Sequence, residues 1–176
     1  MRQVERVTVP DDVREAELTR LMETYGDALA GLCTALTRDA DLAQDIVQET
    51  FLRAYRNLDR YRGGQEKEKA WLTSIAVNLY RDLRRSRWFR WVDRGVDLDS
   101  LPEPSVPARQ EDWQVYDAVQ ALPDRLREVV ILRYHQDLDA AEIAKLLGTT
   151  RASVYRRLNK AYELLRQQLE EADNDD

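Results

Sequence analysis

Apolar residues recur at intervals of three and four along most of the chain, and this spacing restricts the fold more than any other feature of the sequence. It matches the 3.6-residue turn of an α-helix and gathers apolar side chains on one face. No segment shows the alternation typical of β-strands, so the pattern predicts an all-α protein. The first predicted helix runs from Val13 to Leu36 and its apolar face comprises Leu18, Leu21, Met22, Tyr25, Leu29, Leu32 and Leu36.

One stretch interrupts the helical pattern and divides the chain. Residues 92–112 carry Pro102, Pro104 and Pro107 among many acidic residues. Proline removes a backbone donor and disfavours helix, so this stretch is predicted to be an acidic linker. The predicted organisation is two small helical domains: a flexible lead-in at 1–12, an N-terminal helical domain at 13–91, the linker at 92–112, a C-terminal domain at 113–170 and an acidic tail at 171–176.

The second predicted helix has an apolar face and a polar face. Asp39 and Asp41 begin it, since acidic residues stabilise a helix N-terminus, and Arg62-Gly63-Gly64 ends it. Its polar face carries Asp45, Gln48 and Glu49 at spacings of three and four, a pattern usual for a solvated surface. Its apolar face is predicted to comprise Ala43, Val47, Phe51, Ala54 and Leu58.

The third predicted helix begins near Glu66 and ends in a run of arginines and aromatic residues. Arginine binds phosphates and aromatic rings stack on exposed bases, so this mixture suits partly unpaired DNA. A core position for Trp71 and Tyr80, beside a soluble helix end, is the alternative. The residues concerned are Trp71, Asn78, Tyr80, Arg81, Arg84, Arg85, Arg87, Trp88, Arg90 and Trp91.

The segment Asp139–Lys160 predicts a helix-turn-helix. Asp139 and Glu142 form a capping-box pattern, Gly148 makes the turn, and Thr149 or Thr150 caps the longer helix that follows. Arginine and asparagine on the outer face of such a helix are suited to bidentate contacts with bases. A plain helical hairpin with a solvated basic face has the same pattern. The predicted outward residues are Arg151, Tyr155, Arg156, Asn159 and Lys160.

Composition excludes several classes of function. The net charge of −6 with local basic patches indicates weak DNA binding by the chain alone. One cysteine excludes an internal disulfide, and one histidine leaves little for a metal site. The chain shows no nucleophile–base set, phosphate loop, bilayer-spanning segment or secretory signal. We therefore expect a cytoplasmic protein that is not an enzyme, has no cofactor and does not insert into a membrane.

These motifs together resemble the extracytoplasmic-function group of the sigma-70 family of bacterial RNA polymerase sigma factors. The resemblance rests on Asp-Ile-Val-Gln-Glu-Thr-Phe-Leu-Arg-Ala-Tyr at 45–55, Ala-Trp-Leu at 70–72, Ile-Ala-Val-Asn-Leu at 75–79, the segment 121–134 and the terminal helix-turn-helix. It implies a sigma factor that directs RNA polymerase core to promoters in a stress or envelope response. The implied partners are the β′ clamp and β flap of the polymerase, promoter DNA and an anti-sigma factor, through which the chain would be held at a membrane.

The resemblance also implies roles for individual residues. Polymerase binding is assigned to Asp45, Gln48 and Glu49. Asn78 occupies a base-reading position beside a loop, 61–69, that receives a flipped base. Minus-10 binding as a whole is assigned to Tyr61, Arg62, Lys67, Lys69, Trp71, Asn78, Arg81, Arg84 and Arg85. Minus-35 binding is assigned to Thr150, Arg151, Ser153, Tyr155, Arg156, Asn159 and Lys160.

Two departures from the family pattern matter. Primary sigma factors carry two adjacent aromatics where this chain has Trp71 and Leu72, which implies less power to melt DNA and a stricter promoter. Tyr155 stands where arginine is common, so the base sequence read there does not transfer from relatives.

The alternatives are other kinds of protein. One alternative is a helix-turn-helix regulator without sigma activity, such as a two-component regulator. A regulator of that type would need a receiver domain of alternating strands and helices. A helical adaptor that binds only protein would leave the Arg–Trp cluster unexplained.

Overall fold

The computed structural model describes residues 10–92 and 110–174, and the regular structure in these ranges is helical, without strands. This confirms the all-α prediction. The described helices are α1 (Asp11–Thr37), α2 (Ala40–Asn57), α3 (Gln65–Val92), α4 (Gln110–Ala121), α5 (Asp124–Tyr134), α6 (Ala140–Leu147) and α7 (Arg151–Asn174), with a 3-10 helix at Leu58–Arg60. Most of the predicted linker lies outside the described residues.

The chain forms two compact units. Unit 1 comprises Met1–Cys33 and Asp41–Val96, and unit 2 comprises Thr34–Ala40 and Asp97–Asp176. Each unit has its own buried apolar residues.

The core of unit 1 is contributed by one apolar stripe from each of three helices. On α1 the spacing of three and four buries Leu21, Leu29 and Leu32 as predicted. Of the other residues predicted on this face, Leu18 and Tyr25 are half-buried and Met22 is exposed. Cys33 is buried, and burial raises the pKa of its thiol to about 12. The buried apolar residues include Leu21, Leu29, Leu32, Ile46, Phe51, Ala54, Leu72, Ala76, Val77, Leu79 and Tyr80.

The buried face of α2 differs slightly from the prediction. Val47 is only half-buried, while Ile46 and Thr50 are buried. Thr50 enters the core because its hydroxyl donates a 2.7 Å hydrogen bond to the Ile46 carbonyl, one turn back on the same helix. The helix also ends earlier than predicted, at Asn57, because a 3-10 helix precedes the two glycines.

Unit 2 is organised around α7, which packs against α4, α5 and α6. Val154, Leu158 and Ala161 of α7 are buried. Arg127 of α5 is also buried, and its guanidinium lies 2.8 Å from the Asp124 carboxylate. A buried cation needs such a partner, so this pair fixes the start of α5.

Candidate nucleic-acid and polymerase interfaces

The helix-turn-helix is built from two well-capped helices. Asp139 Oδ1 accepts hydrogen bonds from the backbone amides of Ala141 (2.7 Å) and Glu142 (2.8 Å), and Glu142 Oε2 accepts from the Asp139 amide (2.8 Å). These backbone donors lower the pKa of Asp139. Gly148 then ends α6 in the left-handed region, with φ 61°, where a Cβ would be strained. The predicted capping box and glycine turn are therefore confirmed.

Helix α7 begins at the predicted cap and exposes the predicted residues. Thr150 Oγ1 accepts a 3.1 Å hydrogen bond from the Ser153 amide, which identifies Thr150 as the cap. Ser153 itself is half-buried, close to the buried side of the helix. The exposed residues in the first three turns of α7 include Arg151, Tyr155, Arg156, Asn159 and Lys160.

Two contacts in this region were not predicted from the sequence. Lys160 Nζ lies 3.0 Å from Glu163 Oε2, so the outer face of α7 is not uniformly basic. The hydroxyls of Tyr134 and Tyr162 lie 2.8 Å apart and their rings meet edge to face. This contact links the end of α5 to α7, although Tyr134 stays 63% exposed. Burial and the Tyr134 hydroxyl raise the pKa of Tyr162 to about 12.

The polar face of α2 lies opposite its buried face. Asp45 and Gln48 are exposed, and half-buried Glu49 pairs with Arg53 at 2.9 Å. Leu52 lies at the centre of the same face, since it follows Asp45 by seven residues and Gln48 by four, and it is 47% exposed. Leu52 was not predicted on this face from the sequence, although its spacing from Asp45 and Gln48 was a usable signal.

Helix α3 carries an exposed stripe. Trp71, Asn78 and Arg85 follow one another at seven-residue intervals, so they share one side of the helix at steps of about 10 Å. Asn78 and Arg85 are exposed and Trp71 is half-buried. Arg81 is half-buried on an adjacent part of this surface. The side chains of residues 87–92, which include Trp88 and Trp91, lie outside those described.

Tyr80 does not offer the aromatic face that its position in the cluster suggested. It is 4% exposed and belongs to the core. The guanidinium of Arg84 lies 5.6 Å from its ring centroid, so Tyr80 supports a cation instead of stacking on a base. The interpretation of Tyr80 as a core residue, left open by the sequence, is the correct one.

The loop before α3 is shorter than the predicted 61–69, because α3 already begins at Gln65. The remaining loop, 61–64, is folded around an aromatic pair. The rings of Tyr61 and Trp71 are stacked with centroids 4.3 Å apart, and Tyr61 Oη donates a 2.9 Å hydrogen bond to the Gly64 carbonyl. Arg62 donates to the carbonyls of Asp59 and Tyr61. Lys67 and Lys69 are exposed in the first turns of α3. The loop therefore presents aromatic surface beside cations.

Two negative findings apply to the described parts of the chain. Residues 10–92 and 110–174 contain no cluster of histidine, cysteine and acidic residues able to hold a metal ion. In the same ranges no helix combines the length and apolarity needed to cross a bilayer.

Comparison with known proteins assigns a family to each half of the chain. Sigma-70 region 2 matches residues 21–90, and Sigma-70, region 4 matches residues 112–165. The ECF RNA polymerase sigma factor SigL of Mycobacterium tuberculosis is 35% identical over 162 residues, covering 89% of this chain and 92% of the relative. SigW of Bacillus subtilis is 30% identical over 163 residues, covering 85% of this chain and 87% of the relative.

Solved structures show the same fold. The sigma factor RpoE, solved with the anti-sigma factor NepR from Bartonella quintana, is 24% identical with a TM-score of 0.69, over 89% of this chain and 96% of that one. CnrH, solved with the cytosolic domain of CnrY, is 26% identical with a TM-score of 0.61, over 89% of each chain. With both regions present in order, the chain belongs to the extracytoplasmic-function group of the sigma-70 family and is an RNA polymerase sigma factor.

Proposed function

We propose that this sigma factor holds RNA polymerase core with α2, reads and opens the minus-10 element with α3 and the loop before it, and reads the minus-35 element with α7. The observation that carries the proposal is the arrangement on α7. Exposed arginine and asparagine side chains lie opposite Val154 and Leu158, which anchor the helix in unit 2. Such a helix enters the major groove and presents side chains to base edges.

The polymerase contact is assigned to Asp45, Gln48 and Glu49, directed at the β′ clamp. Leu52 adds an apolar contact at the centre of this face, and removal of its exposed surface from water would favour association. Arg53 holds Glu49 in place through their ion pair. A second polymerase contact, between unit 2 and the β flap, completes the attachment.

At the minus-10 element, different residues are assigned to base recognition and to phosphate binding. Asn78 would read a base edge through its amide, and the loop 61–64 with the first turns of α3 would receive an extruded base next to Tyr61 and Trp71. The cations around them would hold phosphates, which fixes position without reading sequence. These cations are Arg62, Lys67, Lys69, Arg81, Arg84 and Arg85.

At the minus-35 element, the residues of α7 divide in the same way. Arg156 and Asn159, on the same exposed face, have side chains suited to base edges, while Lys160 is a point charge suited to a phosphate. Thr150 and Ser153 at the helix start would bind the DNA backbone through hydroxyl and amide groups. Arg151 and Tyr155 complete this surface.

Regulation, location and organisation belong to the same proposal. The factor acts in the cytoplasm, in a stress or envelope response, and is restrained by an anti-sigma factor that can hold it at a membrane. The two domains, 13–91 and 113–170, are joined by the acidic linker 92–112. The factor has no catalytic activity of its own, and the polymerase carries out the phosphodiester chemistry.

The polymerase face provides the sharpest test of the proposal. Changing Gln48 and Glu49 together to Lys should weaken copurification with core polymerase and abolish run-off transcription. The fold should survive, because surface changes usually alter stability by less than about 0.5 kcal/mol. Lysine at position 49 also faces Arg53, a like-charge contact that costs only a few tenths of a kcal/mol in a helix.

The matched control adds the same charge elsewhere. Glu23 and Gln167 are exposed on α1 and α7, and changing both to Lys should leave polymerase binding and transcription intact. Both double variants should keep the helical circular dichroism of the parent protein. Full polymerase affinity in the Gln48/Glu49 variant would identify the face as a merely solvated surface.

A further inference from the structure

Two side chains of α1 converge on one buried carboxylate of α3 in unit 1. Glu68, in the first turn of α3, is 4% exposed. Arg20 of α1 donates to Glu68 Oε1 at 2.6 Å, and Tyr25 of α1 donates to Glu68 Oε2 at 3.1 Å. The Arg20 guanidinium also donates to Glu17, from Nε at 3.0 Å and from Nη2 at 2.6 Å. A carboxylate this buried needs such partners, so the cluster joins α1 firmly to the start of α3.

The cluster lies beside the loop that precedes α3. Tyr25 Oη is also 3.5 Å from the carbonyl of Gln65, the first residue of α3. Glu68 precedes Trp71 by three residues, which makes them neighbours on the helix surface. Burial, followed by the charges of Glu68 and Glu66, raises the pKa of Tyr61.

The loop itself is closed by contacts with Tyr61. Its ring covers Trp71 and its hydroxyl binds the Gly64 carbonyl. Gly63 permits this closure, because a Cβ there would overlap the Tyr61 ring. The loop is therefore fixed at one end by the aromatic pair and at the other by the contacts of Glu68 with α1.

We propose that Glu68 is a positioning residue for base recognition, which, held by Arg20 and Tyr25, keeps the Tyr61–Trp71 pair and the loop 61–64 in the geometry that accepts the extruded minus-10 base. The proposal rests on the function assigned above to the loop. Glu68 does not contact the base. Its effect passes through the first turn of α3 to Trp71, and through Trp71 to Tyr61.

The expected effect is a loss of base discrimination without a loss of polymerase binding. Glu68→Gln keeps the size of the side chain and removes the charge that holds Arg20. We expect the preference for the cognate base at the position read by the loop to fall about tenfold, equivalent to about 1.4 kcal/mol. Tyr25→Phe removes one hydroxyl from the same cluster and should produce a smaller change in the same direction.

The experiment uses holoenzyme assembled from core polymerase and the full chain. Its probes are fork-junction promoters with an open minus-10 element, each carrying one of the four bases at the position read by the loop. The discrimination ratio is measured for the parent chain, Glu68→Gln, Tyr25→Phe and Tyr61→Ala. Glu23→Gln is the matched control, because Glu23 is an exposed glutamate between Arg20 and Tyr25 on α1. Minus-35 discrimination is recorded in parallel.

The outcomes separate positioning from simple stabilisation. The proposal is supported if minus-10 discrimination falls in Glu68→Gln and Tyr25→Phe while minus-35 discrimination and polymerase affinity hold. The proposal is overturned if Glu68→Gln and Tyr25→Phe lower only the thermal midpoint and keep the minus-10 discrimination ratio of the parent chain, while Tyr61→Ala loses that discrimination. If Tyr61→Ala also keeps the ratio, the loop does not read a base and the minus-10 part of the proposed function fails as well. Should Glu68→Gln not fold, Tyr25→Phe decides between these results.

Discussion

Arg156 and Lys160 both extend from the exposed face of α7, but their surroundings differ. Lys160 is held by Glu163, with both side chains more than half exposed, so their ion pair contributes little to stability. The Arg156 guanidinium has the planar fork that matches a guanine edge. We expect Arg156→Ala to weaken cognate minus-35 binding by about 1–3 kcal/mol and to relax base preference at one or two positions, measured by promoter selection with the holoenzyme.

Lys160→Ala is the matched comparison at the residue scale, since it removes one cation from the same helix face. It should weaken binding about equally on all sequences and reduce the dependence of affinity on salt. An equal, sequence-independent effect of the two substitutions would remove the base-reading assignment of Arg156. The helix-turn-helix itself would be unaffected by that result.

At the scale of the element, α6 depends on the charge of its capping residue. Backbone hydrogen bonds from Glu142 and Ala141 hold the pKa of Asp139 below its ordinary value of 3.8. A carboxyl whose folded-state pKa is lowered contributes stability that is fully present above its unfolded-state pKa. That stability is lost as the pH falls through the folded-state value. The capping contribution should therefore be constant near neutrality and disappear in acid.

Thermal unfolding of Asp139 variants checks this dependence. Asp139→Ala should lower the midpoint of the unit 2 transition at pH 7, because the amides of Ala141 and Glu142 lose their acceptor. The difference in midpoint between Asp139→Ala and the parent chain should narrow as the pH falls below 3.8. Asp139→Asn keeps a side-chain oxygen that does not titrate, so its difference from Asp139→Ala should stay nearly constant. A parent-to-alanine difference that does not change with pH would contradict the role of the charge.

At the scale of the whole molecule, the charge balance opposes DNA binding by the free chain. The sequence has 33 acidic and 27 basic residues, and the proposed DNA contacts use nine of the basic residues. Phosphate attraction dominates unassisted affinity, so the purified chain should bind duplex promoter DNA poorly at physiological salt and gain specific binding in the holoenzyme. Fluorescence anisotropy with labelled promoter DNA measures both states. Tight, sequence-specific binding by the chain alone would contradict this prediction.

Features that depend on residues within a turn or two of one another follow from the sequence alone. The period of the apolar residues is enough to identify helices, and the Asp139, Glu142 and Gly148 pattern is enough to begin and end α6. The order of such motifs along the chain was enough to indicate the family, which the comparisons confirm. Local spacing encodes these properties because their hydrogen bonds and faces form within single helices.

The tertiary structure decided which residues are covered and which distant residues pair. It assigned Tyr80 to the core, exposed Leu52 at the centre of the α2 face, and brought Tyr134 to Tyr162. It also placed Arg20 against Glu68, 48 residues further along the chain. A helical period predicts which residues share a face, but it does not predict which neighbouring helix covers that face. Contacts between helices therefore follow only from the packing of one element against another.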